Sequence, residues 1–180
     1  MNNEQQAETQ LQYWVVVDAV RLPDCITDLK SFGLIHGSWA LFGNSEFQHL
    51  IEQSPWVVNI GSDKSQLLSC LSLEGFDSSA VVFELEETQS RDALQSHLHA
   101  LLLPSIFNNP TFIRFYSPTF WRPIVNELTS RDVLTLLGPS SAVYWMSAEG
   151  ELQQIQKTKG ETSLPKKPYY LNSAIFKSWV

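Results

Sequence analysis

Tyr13-Trp14-Val15-Val16-Val17-Asp18 is a near-continuous apolar run of strand length that stops on a carboxylate. A run without polar alternation is the pattern of a strand covered on both faces. Such a strand needs layers on both sides, and the chain downstream supplies them. Pro23 and Asp24 suit a first helical turn, where a missing N–H costs nothing. Ile26, Leu29 and Phe32 then recur at helical spacing, and Gly33 can take the left-handed cap. Ser38 to Phe42 reads as a second strand turned by Gly43-Asn44, and Phe47, Leu50 and Ile51 mark a short helix before Pro55. Trp56 to Ile60 is a strand, and Ser62 can cap a helix carrying Leu67, Leu68 and Leu71 on one side. Ala80 to Leu85 is again a strand. Ser90 to Leu103 is the strongest helical pattern, with Leu94, Leu98, Leu101 and Leu102 on one face.

The second half continues the alternation with additions. Thr111 to Tyr116 is expected as a strand. A helical piece from Pro118 meets Pro123, which bends or restarts it. Thr129-Ser130-Arg131-Asp132 resembles a capping box for a helix closing at Gly138, and Ala142–Met146 with Leu152–Gln156 predicts a hairpin across Ala148-Glu149-Gly150. Together these predict an α/β domain, with α+β the alternative: a mixed central sheet, flanking helices and a short C-terminal extension. The domain spans residues 11–156. Residues 157–167, rich in Lys, Thr, Gly, Ser and Pro, read as a linker, and 168–180 as an aromatic tail that either folds back or serves as a handle for a partner.

Composition narrows the function classes. In 180 residues the chain holds six Trp, ten Phe and five Tyr, ample for one packed core and incompatible with disorder throughout. The net charge is −7, unevenly spread: residues 1–150 carry 7 basic and 17 acidic groups, residues 151–180 carry 5 and 2. An acidic body argues against nucleic-acid binding, which needs a basic face to displace counterions. The basic tail is either a solvated segment or a contact for an acidic surface. The N-terminal ten residues are polar and glutamine-rich with no secretory pattern, and no apolar run reaches the length of a membrane span. Cys25 and Cys70 lie far apart on helical segments, which suits a reduced cytoplasmic setting better than a disulfide scaffold.

Chemistry-bearing motifs are sparse. The strand-to-helix turns lack the glycine patterns of dinucleotide or phosphate loops. His97 and His99 are two apart on a helix, so they point to different sides, and with His36 and His49 they read as isolated surface or half-buried histidines. No nucleophile elbow is present, and both cysteines sit among apolar residues at helical spacing. Asp18, at a strand end, is placed as many active-site acids are, although a turn hydrogen bond is the commoner task of such a residue. Glu84, Glu86 and Glu87 read as a solvated edge. No metal and no cofactor are expected.

Arg114 stands out. Strand alternation puts Phe112, Arg114 and Tyr116 on one face and Ile113 and Phe115 on the other. An arginine between aromatics stacks on a ring or forks onto a carboxylate. Two readings follow: an internal ion pair, or a polar anchor in a peptide-binding groove with Tyr116, Trp121, Arg122 and Trp145 as companions. Arg and aromatic residues are the types enriched at interface hot spots.

With these residues located, the chain resembles the effector chaperones, or adaptors, of the bacterial type VI secretion system (the Tap/Tec-type domain catalogued as being of unknown function). The likeness runs from about Tyr13 to Gly150. It rests on the strand ending in Asp18-Ala19, the Ser54-Pro55-Trp56-Val57-Val58 step, the leucine-lined helix, and above all Phe112-x-Arg114-Phe115-Tyr116-x-Pro118 followed by Gly138-Pro139 and Tyr144-Trp145. The family commonly has Asp where Ser117 stands and Trp-Gly where Ser79-Ala80 stand, and many members carry a longer helical C-terminal lobe. The resemblance implies a cytoplasmic, non-enzymatic protein that binds a toxic effector and promotes its loading onto the VgrG spike, with no membrane insertion. Two alternatives stay open: an α/β enzyme using Asp18 with a distant Ser or His, and an immunity-type binding protein.

Overall fold

The computed structural model describes residues 10–158 and 163–180. The polar N-terminal stretch up to residue 9 and part of the expected linker, residues 159–162, lie outside the described residues. The apolar run around Val15 forms β1 (Leu11–Val17), near the middle of a six-stranded sheet in the order β2-β3-β1-β4-β7-β8. Its neighbours are β3 (Trp56–Asn59) and β4 (Ala80–Glu86), with Val15 opposite Val58 on one side and Val82 on the other. β2 (Gly37–Ala40) and β8 (Leu152–Gln156) form the two edges, and β7 (Ala142–Met146) links β4 to β8.

Every pairing in this sheet is antiparallel, which resolves the fold to α+β. The mixed character expected of the central sheet is found in a separate three-stranded sheet. There β5 (Ser105–Ile106) pairs antiparallel with β6 (Asn109–Pro110) and parallel with β9 (Tyr170–Leu171). The alternation of strands and helices suggested parallel crossovers. Instead, successive helices return the chain so that its neighbours run in opposite directions.

Both faces of the sheet are covered, as the unbroken apolar run requires. α1 (Cys25–Ser31), α2 (Lys64–Leu71) and α3 (Phe76–Ser79) bury Cys25, Leu29, Leu67, Cys70, Leu71 and Phe76 against one face. α4 (Arg91–Leu101), α5 (Pro118–Trp121) and α6 (Ser130–Leu137) cover the other with Leu94, Leu98, Leu101, Phe120, Trp121 and Leu136. Phe83 of β4 meets Phe115 and Trp121 edge-on there, with ring centroids 6.0 and 6.2 Å away. Full burial of each such side chain stabilises the fold by roughly 1.5–3 kcal/mol.

Local signals behave mostly as expected. Thr129 caps α6 through the Asp132 amide, and the structure adds a cap at Ser90, which accepts from the Ala93 amide at the start of α4. Asp63, not Ser62, caps α2, accepting from Ser65 at 2.8 Å. Gln48–Gln53 forms a 3₁₀ helix. Glu84 is no solvated edge residue: it accepts from the Tyr144 hydroxyl and the Ser141 hydroxyl, each at 2.7 Å. Burial, followed by the Glu84 charge, pushes the neighbouring Tyr13 up to about 12.

The largest departure concerns the stretch from Thr111 to Tyr116, which is not a strand. Its amides bond to the end of α4 and the following loop, Thr111 N–H to Pro104 O at 2.9 Å and Ile113 N–H to Leu102 O at 3.0 Å. The chain then turns, with Ser117 N–H on Arg114 O at 2.9 Å. The alternation of exposure survives through Phe115 without a ladder and breaks at Tyr116, which the turn carries inward.

The aromatic tail folds back and joins the core. Tyr169, Leu171 and Phe176 are buried with the α4–α6 layer. Ser105 N–H donates to Tyr169 O at 2.8 Å, and the Tyr169 hydroxyl lies 2.8 Å from His97 Nδ1. A second tie is the Asp132 carboxylate, which accepts from the amides of Asn172 and Ser173 at 2.9 and 2.6 Å and from the Ser173 hydroxyl at 2.5 Å. Residues 168–180 thus pack as part of the body.

Candidate functional site

Asp18 and Arg114 come together although 96 residues separate them. Asp18 leaves β1 at its end and is buried, and its Oδ1 accepts from Val20 N–H at 3.1 Å and weakly from Arg21 N–H at 3.4 Å. These are the turn bonds expected of an aspartate after a strand. Its other oxygen, Oδ2, takes a charge-assisted bond from Arg114 Nη2, the one salt bridge among the described residues. The Arg114 side chain remains 55% exposed while that of Asp18 is 3% exposed. The guanidinium also lies 5.6 Å from the centroid of the Tyr116 ring. Burial works against its charge, but the Tyr116 and Asp18 oxygens outweigh it, so the arginine's pKa rises.

The arrangement presents a cation on a fixed mount. One corner of the guanidinium fork is held from behind by a buried carboxylate, and the rest faces outward. A mounted arginine loses less side-chain entropy on meeting a partner than a free one does.

The extended segment before Arg114 leads to a second feature. Phe112 is 42% exposed and packs edge-on against Phe47 with centroids 5.1 Å apart. Phe47 lines a cleft of about 710 Å³ together with Ala100 and Leu103 from the end of α4, Pro110 of β6, and Pro168 and Tyr170 of the folded-back tail. Leu103 and Tyr170 are themselves 41% and 43% exposed. The lining of the cleft also includes Glu46, His99 and Lys167. The cleft, Phe112 and Arg114 therefore follow one another along the surface, partly apolar at one end and cationic at the other.

The remaining residues expected at a partner surface are placed differently. Tyr116 is nearly buried and supports Arg114 from below. Trp121 and Trp145 are fully buried and stacked, 5.8 Å between centroids at 23°, with Trp121 Nε1 donating to Phe115 O at 2.6 Å. They are corrected to core residues, because rings sealed between α5 and β7 have no exposed face to give a partner. Arg122 is half-buried and clamps the end of β7, with Nε and Nη2 on Met146 O at 3.2 and 3.0 Å. Only Arg114 of the five presents its functional group freely.

Histidine and carboxylate chemistry also sorts out. His97 is not a surface histidine: it is buried, bonded to Tyr169 and 3.1 Å from Leu136 O, and burial takes its pKa down to about 3. Asp18 faces Arg114 and its own turn. His36 instead borders a separate polar hollow with Gln12, Asn59 and Gln66. Sequence reasoning missed the Asp132–Ser173 clasp. The only hint was that Asp132 occupies the position of a capping-box acid; in the structure the Thr129 N–H is taken by Ser173 Oγ at 2.9 Å.

A family model described as a domain of unknown function, DUF4123, matches residues 13–133. The chain belongs to this family. The DUF4123 family is associated with type VI secretion effector adaptors. The match covers both partners of the Asp18–Arg114 pair, the whole of α4 and Asp132. Comparison with curated proteins and with solved structures gives no match.

Proposed function

We propose that this DUF4123 protein is a non-enzymatic adaptor that binds a type VI secretion effector and promotes its loading onto the VgrG spike. The observation carrying the reading is the mounted Arg114, a half-exposed guanidinium fixed by buried Asp18 at one end of a partly apolar surface. The cleft takes an apolar segment of the effector, and Arg114 fixes its direction by pairing with a carboxylate or carbonyl there. Residues of the cleft that are half-exposed in the free protein become covered, within an interface of about 1,200–2,000 Å² in total. Asp18 supports the reading through its partners, since both of its oxygens are engaged in holding the site.

The test is coexpression with the products of the genes flanking this one, a type VI effector among them being the expected cargo, followed by purification through a tag on this chain. The effector should co-purify, and Arg114→Ala should release it while the variant keeps its cooperative unfolding. Failure of the wild-type chain to retain either the effector or VgrG, or turnover of a substrate at Asp18, rejects the reading.

A further inference from the structure

The two edges of the main sheet are finished differently. At the β2 edge, the bonds of Leu41 N–H to Pro55 O and the β2–β3 register turn Ser38 and Ala40 outward. Ala40 O is then taken by Gly43 N–H at 3.0 Å, so this edge is short and partly closed by its own turn. At the β8 edge, Ser147 N–H bonds to Glu151 O and Lys157 N–H to Ser141 O. Alternation along the ladder then directs Gln153 and Ile155 toward β7 and leaves the backbone groups of Leu152, Gln154 and Gln156 pointing outward. None of these has a backbone or side-chain partner among the described residues.

Native edges are usually closed by lysine, proline, a bulge or a covering element. β8 has the sequence Leu-Gln-Gln-Ile-Gln, with no proline and no charge inside it. Lys157 follows it, but its ammonium turns inward onto Gly138 O.

Beside this edge lies a hollow of about 320 Å³. Arg122 and Val125 form one wall, Gln153 the other, Glu149 and Glu151 the rim, and Trp145 the floor. Trp145 is fully buried. The two carboxylates at the rim complement a lysine or arginine.

We propose that β8 is a strand-addition site: an extended effector segment pairs with the outward groups of Leu152, Gln154 and Gln156, placing a basic side chain against Glu149 and Glu151. Main-chain hydrogen bonds supply affinity and the hollow supplies selectivity, as in other strand-addition complexes. The inference rests on the adaptor reading only for the identity of the partner.

Two experiments test it separately from that reading. In the first, a phage-displayed pool of random 12-residue peptides is panned on the full chain. Enriched peptides should carry a Lys or Arg and protect the Leu152, Gln154 and Gln156 amides from hydrogen exchange. They should bind Gln154→Pro at least tenfold more weakly, since that change removes only an outward N–H from an edge strand. The double variant Gln154→Lys, Gln156→Lys keeps the backbone intact and should show a similar loss. Recovery of no peptide, equal binding by both variants, or conversion of a dimer to a monomer by these variants (an edge occupied by a second copy) overturns the proposal. In the second experiment the products of the flanking genes replace the pool. If wild type and both edge variants retain an effector among them equally, strand addition falls and the adaptor reading stands. If wild type retains no effector but binds the peptides as described, the adaptor reading falls and strand addition stands.

Discussion

The clasp at Asp132 and the mount at Arg114 both use a buried carboxylate held by hydrogen-bond donors, and they do opposite things with it. At the clasp, one carboxylate oxygen collects the Asn172 and Ser173 amides and the Ser173 hydroxyl, so every participating group is turned inward. At the mount, Asp18 spends one oxygen on its own turn and gives the other to a guanidinium that is half in water. The clasp uses up its hydrogen-bonding capacity in holding the tail. The mount keeps capacity in reserve, with part of the guanidinium still open to water.

The comparison breaks first at Asp132. Asp132→Ala leaves the Asn172 and Ser173 amides without their acceptor and the Ser173 hydroxyl with only the longer contact to Thr129 Oγ1 at 3.5 Å, around a Ser173 that is itself buried. The expected loss is about 3 kcal/mol in urea unfolding, with faster tryptic cleavage after Lys166 and Lys177 as the tail loosens. A midpoint unchanged from wild type would mean that the apolar contacts of Leu171 and Phe176 hold the tail alone.

Gly138 sharpens the same side of the comparison. Its φ is +56°, and a Cβ there would lie 2.2 Å from His97 Nδ1. Gly138→Ala therefore strains the backbone and drives His97 away from Tyr169 in one change. A loss of about 2–3 kcal/mol is expected, and the loss of the His97–Tyr169 contact should appear as a shifted imidazole resonance.

Protonation tests that contact without a mutation. Burial lowers the folded-state pKa of His97 to about 3, against an ordinary value of 6.5. The unfolded chain therefore binds a proton that the folded one refuses as soon as pH falls below 6.5. The His97 contribution is complete above pH 6.5 and declines steadily toward pH 3. At pH 5 the decline amounts to about 2 kcal/mol. His97→Asn should flatten the stability–pH curve between pH 6.5 and 4, whatever its stability at neutral pH.

How much of this was legible beforehand depended on the range of the interaction. The apolar run of β1, the leucine face of α4, the cap at Thr129 and the β7–β8 hairpin are local patterns, and each appears where the residues place it. The strand directions were not legible, because a helix between two strands fits either a crossover or a return. The stretch around Phe112 has strand composition but no neighbouring strand to pair with, so propensity lost to the hydrogen bonds offered by Leu102 and Pro104. Arg114 was recognisable as a charge among aromatics. Trp121 and Trp145 were misplaced by the same reasoning, since a tryptophan that fills a core and one that fills an interface look alike in sequence. The Asp132–Ser173 clasp joins residues from separate segments and leaves almost no local trace.

Arg114 is where the smallest effect on stability and the largest on function should coincide. Its side chain is half exposed, so water replaces much of what Asp18 loses when the guanidinium is removed, and the turn amides still hold the carboxylate. Arg114→Ala should cost at most about 1 kcal/mol of stability, as for other solvated pairs. Effector retention should nevertheless fall at least tenfold. Arg114→Lys separates charge from shape. It keeps a cation near Asp18 but loses the planar fork, which has one corner on Asp18 and the rest facing solvent. If the fork matters, lysine restores stability to the wild-type value and leaves binding impaired. If lysine restores both, a point charge suffices and the stacking on Tyr116 is incidental. If alanine instead unfolds the protein while the surviving folded fraction binds normally, the mount is a second clasp, and the contrast between the two sites disappears.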